Sequence, residues 1–268
     1  DNIATGDRMK TRTQAPLATH ASCDSFVAAR LRAAGAVIIG KSNLRQWAAV
    51  SVPHASASWA GLTILAVDSA ADGSIVAPAS NCGLVAIKPT GRTAGGQGGE
   101  PATAGPMAPS VREAAWLLAA LTGERLADGL TLDLAGLQGR RIGVARSLFG
   151  LCAGTDAVIE QALLVLREQG AELIEPPPAS GSGGIEALLR SHALDALVGP
   201  TCHGVSPQSD LPHITVPAGM VGGLPVGLSF IGPAHGDMPL IAMAYAYEQA
   251  TLHRRTPALP SSITLALR

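Results

Sequence analysis

Long apolar runs, clustered basic residues and closely spaced cysteines are all missing from this 268-residue sequence. Glycine, proline or a charge interrupts every hydrophobic stretch before it reaches the ~20 residues a bilayer requires, so no transmembrane helix is expected. No secretory signal is visible, and a cytoplasmic location is expected. No basic run exceeds two residues and the net charge is −1, so neither nucleic acid nor an anionic membrane is an expected partner. The four cysteines, Cys23, Cys82, Cys152 and Cys202, lie far apart and form no C-x-x-C pair. That spacing argues against a zinc site and a disulfide framework, and buried free thiols are expected instead. The glycine-rich "SGSGG" at 180–184 lacks the Gly-Lys-Ser/Thr ending of a phosphate-binding loop.

What is present is a large apolar fraction, 47%, against only 15% charged residues, enough for a sizeable core. Periodicity predicts a helix from Asp24 to about Gly35 followed by "AVIIG" as a buried strand. Ser110 and Glu113 form a capping-box signature opening a helix that Gly123 stops. "RRIGVAR" and "AELIE" read as strands on either side of a helix capped by Thr155 and ended by Gly170. The helix "GIEALLRSHA" leads into the strand "LDALVGP". Two further strands, "ITVPAG" and "LPVGLSFIG", precede a last helix from Asp237 to His253, with Pro239 tolerated in its first turn. This alternation predicts an α/β fold with a largely parallel sheet covered on both faces. "GGQGGE" at Gly95–Glu100 and "PPPASGSGG" at Pro176–Gly184 read as flexible joins.

One stretch carries chemistry. In "AADGSIVAPASNCGLVAIKPTGR" (Ala70–Arg92), Ser74 follows an aspartate and a glycine at the end of an apolar run. Two readings of it stand: a helix cap or turn residue, or a nucleophile on a tight turn. Gly73 serves either, because it admits unusual backbone angles and lets a substrate approach backbone N–H groups that could hold an oxyanion.

Four segments in order, "GKSNLRQWA" (Gly40–Ala48), "DGSIVAPASNCGLVAIKPTGR" (Asp72–Arg92), "TAGPMAPSVREAAWLLAALTG" (Thr103–Gly123) and "ITVPAGMVGGLPVGLSFIG" (Ile214–Gly232), resemble the amidase signature family. They are most similar to its peptide amidase branch, and "DNIAT" and "LIAMAYAYEQAT" fit the same pattern. The resemblance implies a single α/β/α sandwich around a mixed, largely parallel sheet, here residues 1–268. Deletion or gap points are expected near 61–62, 95–100 and 176–184. It also implies hydrolysis of a carboxamide, on a small molecule or peptide, without metal or organic cofactor. In the family a serine attacks the amide carbon while a neutral lysine takes the proton through a second serine, giving an acyl-enzyme that water resolves. By this resemblance Ser74 is the catalytic nucleophile, and Ala71, Asp72 and Gly73 form the oxyanion and substrate-binding loop. Lys41 and Lys88 fall in family motifs away from the catalytic lysine's place and read as structural or surface residues.

The pattern also departs from the family. The catalytic lysine's position falls immediately before Asp1, and the serine-rich loop belongs between Gly61 and Leu62. Ala70 and Ala71 stand where an acidic residue and a threonine are usual, and Ala102 where aspartate is common. "PPPASGSGG" stands in place of a long helical segment. The alternatives are an amidase-like scaffold that binds ligand or partner without catalysis, and a serine hydrolase with a histidine base. For the latter, His54, His192, His203, His213 and Asp210 are the candidates, although no spacing links them and satisfied loop histidines are the simpler expectation. Cys202 reads as lining the substrate side, and Trp47 and Trp59 as core or pocket residues. Oligomeric state is not indicated.

Overall fold

The computed structural model describes residues 5–6, 23–40, 66–70, 75–91, 94–95, 101–123, 132–178, 184–201 and 211–256. Their strands are β1 (Ala66–Ala70), β2 (Val85–Lys88), β3 (Ala94–Gly95), β4 (Pro101–Ala108), β5 (Arg141–Val144), β6 (Glu172–Ile174), β7 (Ala196–Pro200), β8 (His213–Val221) and β9 (Leu224–Ile231). Six helices accompany them: α1 (Phe26–Ala33), α2 (Val76–Asn81), α3 (Val111–Thr122), α4 (Ala153–Glu168), α5 (Gly184–Ser191) and α6 (Asp237–Thr251). One mixed sheet runs in the order β1-β4-β2-β8-β9-β7-β5-β6, with β3 beside β4.

The α/β class, with a mixed sheet covered by helices, stands as expected. Its largely parallel character does not. Among the described strands only β5 pairs in parallel, with β6 and with β7. The pairs β1–β4, β2–β4, β2–β8, β3–β4, β7–β9 and β8–β9 are all antiparallel. The cause at β8–β9 is local: Gly222 and Gly223 both have positive φ, 56° and 84°, and close a two-residue turn between Val221 and Leu224. Such a turn matches the right-handed twist of the strands it joins. The parallel strands arise where helices do separate them, with α4 between β5 and β6 and α5 between β6 and β7. The chain reverses direction across β5 in these two steps, and crossovers of one hand then place α4 and α5 on opposite faces.

Strict alternation along the strands builds two cores. Val85, Ile87, Ile142, Val144, Ala196, Val198, Ile214, Val216, Leu228 and Phe230 face α3, α4 and α6 in the main cluster. The intervening positions Ala86, Leu197 and Ile231 turn to the other side. There Ala86 joins Ile75, Val76, Ala79 and Met107 under α2, while Leu197 and Ile231 join Leu188 and Leu189 of α5. Between those smaller clusters, the second face carries buried polar residues rather than a continuous apolar layer.

Helix signals in the sequence were mostly sufficient. Ser110 Oγ accepts the Glu113 N–H at 3.3 Å and donates to its carboxylate at 2.8 Å, and Gly123 ends α3 with φ 78°. A third cap was not legible: Glu248 of α6, buried, accepts the Val111 N–H at 2.8 Å. It satisfies one of the first-turn donors of α3 from 137 residues away in the chain. Burial pushes its carboxyl above the ordinary range. Glu248→Ala strips this acceptor and opens space, and is expected to cost about 2–3 kcal/mol in urea unfolding.

Two local expectations are corrected. α4 begins at Ala153 after Cys152, with the Asp156 N–H on the Cys152 carbonyl at 2.9 Å, so Thr155 lies inside the helix and caps nothing. "AVIIG" is not a buried strand: Val37 and Ile39 are 84% and 67% exposed, and no described strand pairs with them. An apolar run becomes a strand only where a sheet edge receives its backbone groups.

Candidate functional site

The loop Ala71–Ser74 lies outside the described residues, as do Lys41, Trp47, His54, Trp59, Cys202, His203 and Asp210 and the expected gap at 61–62. Its two anchors are described. Edge strand β1 ends at Ala70, opposite Thr103 of β4. On the other side Ile75, fully buried, occupies the cap position of α2 in helical geometry and makes no side-chain cap bond.

α2 packs on the sheet beside two glycines that leave room for it. A Cβ on Gly105 of β4 would come within 3.0 Å of the Ile87 carbonyl and the Ile75 side chain. A Cβ on Gly227 of β9 would come as close to the Ser80 and Thr215 hydroxyls. Contact at this distance forces a neighbour to move: a backbone carbonyl and Ile75 at Gly105, the Ser80 and Thr215 side chains at Gly227. The seat thus has one glycine under the start of α2 and one under its end.

Beside Gly227 the buried polar residues of the second face connect. His213 Nε2 lies 2.8 Å from Ser229 Oγ, Ser229 Oγ lies 2.9 Å from Thr201 Oγ1, and Thr201 Oγ1 lies 2.7 Å from Thr215 Oγ1. His213, Thr215 and Ser229 are buried, and Thr201, just past β7, is half-buried. Lys88, directly across from His213 in the β2–β8 register, is also buried and donates to the Leu211 carbonyl at 2.9 Å. It is thus structural, one of the two roles expected for it, and not a surface residue.

His213 corrects the expectation of loop histidines: it belongs to β8, and only one of its ring nitrogens is satisfied, Nδ1 having no hydrogen-bond partner. Burial, and then the charge of Lys88, lower its pKa to about 3. The Ser229–His213 pair has the spacing of a nucleophile and base. Yet both groups are buried, no carboxylate orients Nδ1, and a base with this pKa accepts protons poorly near neutrality. His192 follows α5 in a turn, with no described link to His213.

Other clusters lie apart from α2. A small open cleft lined by Arg146, Glu160, Arg167 and Glu175 belongs to the α4 face, where Arg146 pairs with Glu160 and Glu175. Among the described residues no group of three His, Cys, Asp or Glu is placed to hold a metal, and no helix is long and apolar enough to cross a membrane. Of the cysteines, Cys82 is buried as expected, whereas Cys23 and Cys152 are exposed. The Thr155 backbone N–H, its hydroxyl and the Gly154 N–H hold the Cys152 thiol below its ordinary value. Iodoacetamide at neutral pH is therefore expected to label Cys152 at least tenfold faster than Cys82, as read by peptide mass spectrometry.

Residues 54–198, more than half of the chain, match the amidase family, and the chain belongs to it. Individual relatives point the same way. A putative amidase of Arthroderma benhamiae is 24% identical over 413 aligned positions, covering 94% of this chain and 69% of the relative. That alignment is longer than the 268 residues of this chain, so the relative carries internal stretches this chain does not. A glutamyl-tRNA(Gln) amidotransferase chain from a Cyanothece species is 33% identical over 57% of this chain and 40% of its own length. The native peptide amidase of Stenotrophomonas maltophilia superposes with a TM-score of 0.78 at 27% identity, over 96% of this chain and 82% of that one.

Proposed function

We propose that this chain hydrolyses a carboxamide of the kind found at a peptide C-terminus, through an acyl-enzyme on Ser74. The observation that carries this reading is the amidase-family match over residues 54–198, which spans Ser74 and the whole of α2. The likeness to a peptide amidase at 27% identity favours a peptide-like substrate.

In this reading Ser74 Oγ attacks the amide carbon and its proton passes, through the base, to the departing nitrogen. Backbone N–H groups of the Ala71–Gly73 loop and of Ser74 receive the oxyanion. Ammonia or an amine leaves, and water cleaves the ester to return the hydroxyl. A second reading, a catalytically silent scaffold that binds ligand or partner, is favoured by one feature. Gly61 runs directly into Leu62 where the resemblance would place the serine-rich loop. Incubation with a C-terminally amidated dipeptide separates the two. Ammonia release that disappears in Ser74→Ala supports hydrolysis, and no release from the intact chain supports the silent scaffold.

A further inference from the structure

The imidazole–hydroxyl chain on the second face has no part in the proposed bond-breaking steps, yet it is continuous from His213 to Thr215. His213 Nδ1 has no partner and the ring feels the positive charge of Lys88 across the strand pair. A lone pair on Nδ1 is attracted by that charge, whereas an N–H there would be repelled. That favours the Nε2–H tautomer, in which Nε2 donates to Ser229 Oγ 2.8 Å away. Ser229 Oγ, Thr201 Oγ1 and Thr215 Oγ1 continue the chain, each within hydrogen-bond distance of the next. Each bond polarises its neighbour, so the groups of the chain hold one another in place.

The chain ends under α2. Thr215 Oγ1 and Ser80 Oγ of α2 both crowd Gly227, each lying within 3.0 Å of where a Cβ there would stand. At the other end of the helix, Gly105 seats Ile75. We propose that His213, Ser229, Thr201 and Thr215 are positioning residues: they hold Thr215 in one rotamer against Ser80, fixing α2 and with it the adjoining Ser74. This rests on Ser74 being the nucleophile of the proposed amide hydrolysis. The four residues come from β8, β9 and the residue after β7, so the chain draws on three strands at once. A misplacement of about 1 Å at a reacting group is enough to cost roughly 10²-fold in rate.

The test is Thr215→Val, which keeps the shape and removes the hydroxyl, set beside Thr215→Ser, which restores it. For an amidated dipeptide, Thr215→Val is expected to lower kcat about tenfold with KM unchanged within twofold, and Thr215→Ser to recover to within twofold of the parent. Thermal melting establishes that each variant is folded at the assay temperature. Unchanged kcat per folded molecule in Thr215→Val overturns the proposal. An independent readout needs no activity: amide hydrogen exchange along α2, at Ala79 and Cys82, is expected to quicken at least tenfold in Thr215→Val and not in Thr215→Ser. Unchanged exchange there overturns the positioning role even in an active enzyme. Faster exchange in a chain that never releases ammonia instead keeps the seat and removes the hydrolysis. Nitrogen NMR of the His213 ring is expected to show the proton on Nε2, and a proton on Nδ1 contradicts that the ring donates to Ser229.

Discussion

Ser74→Ala is expected to lower ammonia release from an amidated peptide by roughly four to six orders of magnitude while leaving the melting temperature almost unchanged. The size of the loss follows from the coupled nature of covalent catalysis: without the attacking oxygen the base has nothing to deprotonate, and only binding and the oxyanion donors remain. A residual rate above the uncatalysed reaction is compatible with this, since those donors are backbone groups that the substitution does not touch. The small effect on stability follows from the size of the change, one hydroxyl, which leaves the buried contacts that α2 makes from Ile75 onward in place. Steady-state ammonia measurements together with a melting curve check both halves. A drop of less than tenfold in a folded variant would remove Ser74 from the mechanism.

Acid is expected to destabilise the protein through His213. Its ring titrates at about 3 in the folded chain, below the ordinary 6.5, because it is buried and faces the charge of Lys88. Between those two pH values the unfolded chain binds a proton that the native chain refuses. Native stability therefore falls as the pH is lowered from 6.5 towards 3, by about 1.4 kcal/mol per pH unit, and this contribution is flat above 6.5. Between pH 6.5 and 5 the loss from this one ring is about 2 kcal/mol, a sizeable part of a typical domain's stability. Glu248, whose carboxyl is raised by burial, acts in the opposite sense, gaining stability as the pH falls. Comparison with His213→Leu cancels that and every other shared group. Urea unfolding at pH 7, 6 and 5 should show a steeper acid slope for the parent than for the variant, and equal slopes would contradict the buried neutral ring.

The sequence by itself determined the local elements whose signals are local. The Ser110–Glu113 box and Gly123 bounded α3, Gly170 followed α4, and the alternation of helices and strands from Arg141 to Pro200 pointed to parallel strands there, although not to which of them pair with β5. The ordered motifs from Gly40 to Gly232 were enough to assign the family that the match over 54–198 shows. The sense of the remaining sheet was partly written in the Gly222–Gly223 turn, yet alternation alone pointed the other way. What only the tertiary structure decided depends on residues far apart in the chain. The Glu248 cap on Val111, the cost of a side chain at Gly105 or Gly227, the fate of Val37 and Ile39, and the surroundings of His213 are of this kind. No spacing rule reaches them, because a histidine in a strand pattern looks the same whether its neighbours supply water, a charge or a hydroxyl. Three strands must assemble before His213, Ser229, Thr201 and Thr215 meet, and the hydrogen bonds and desolvation that fix the ring exist only once they have.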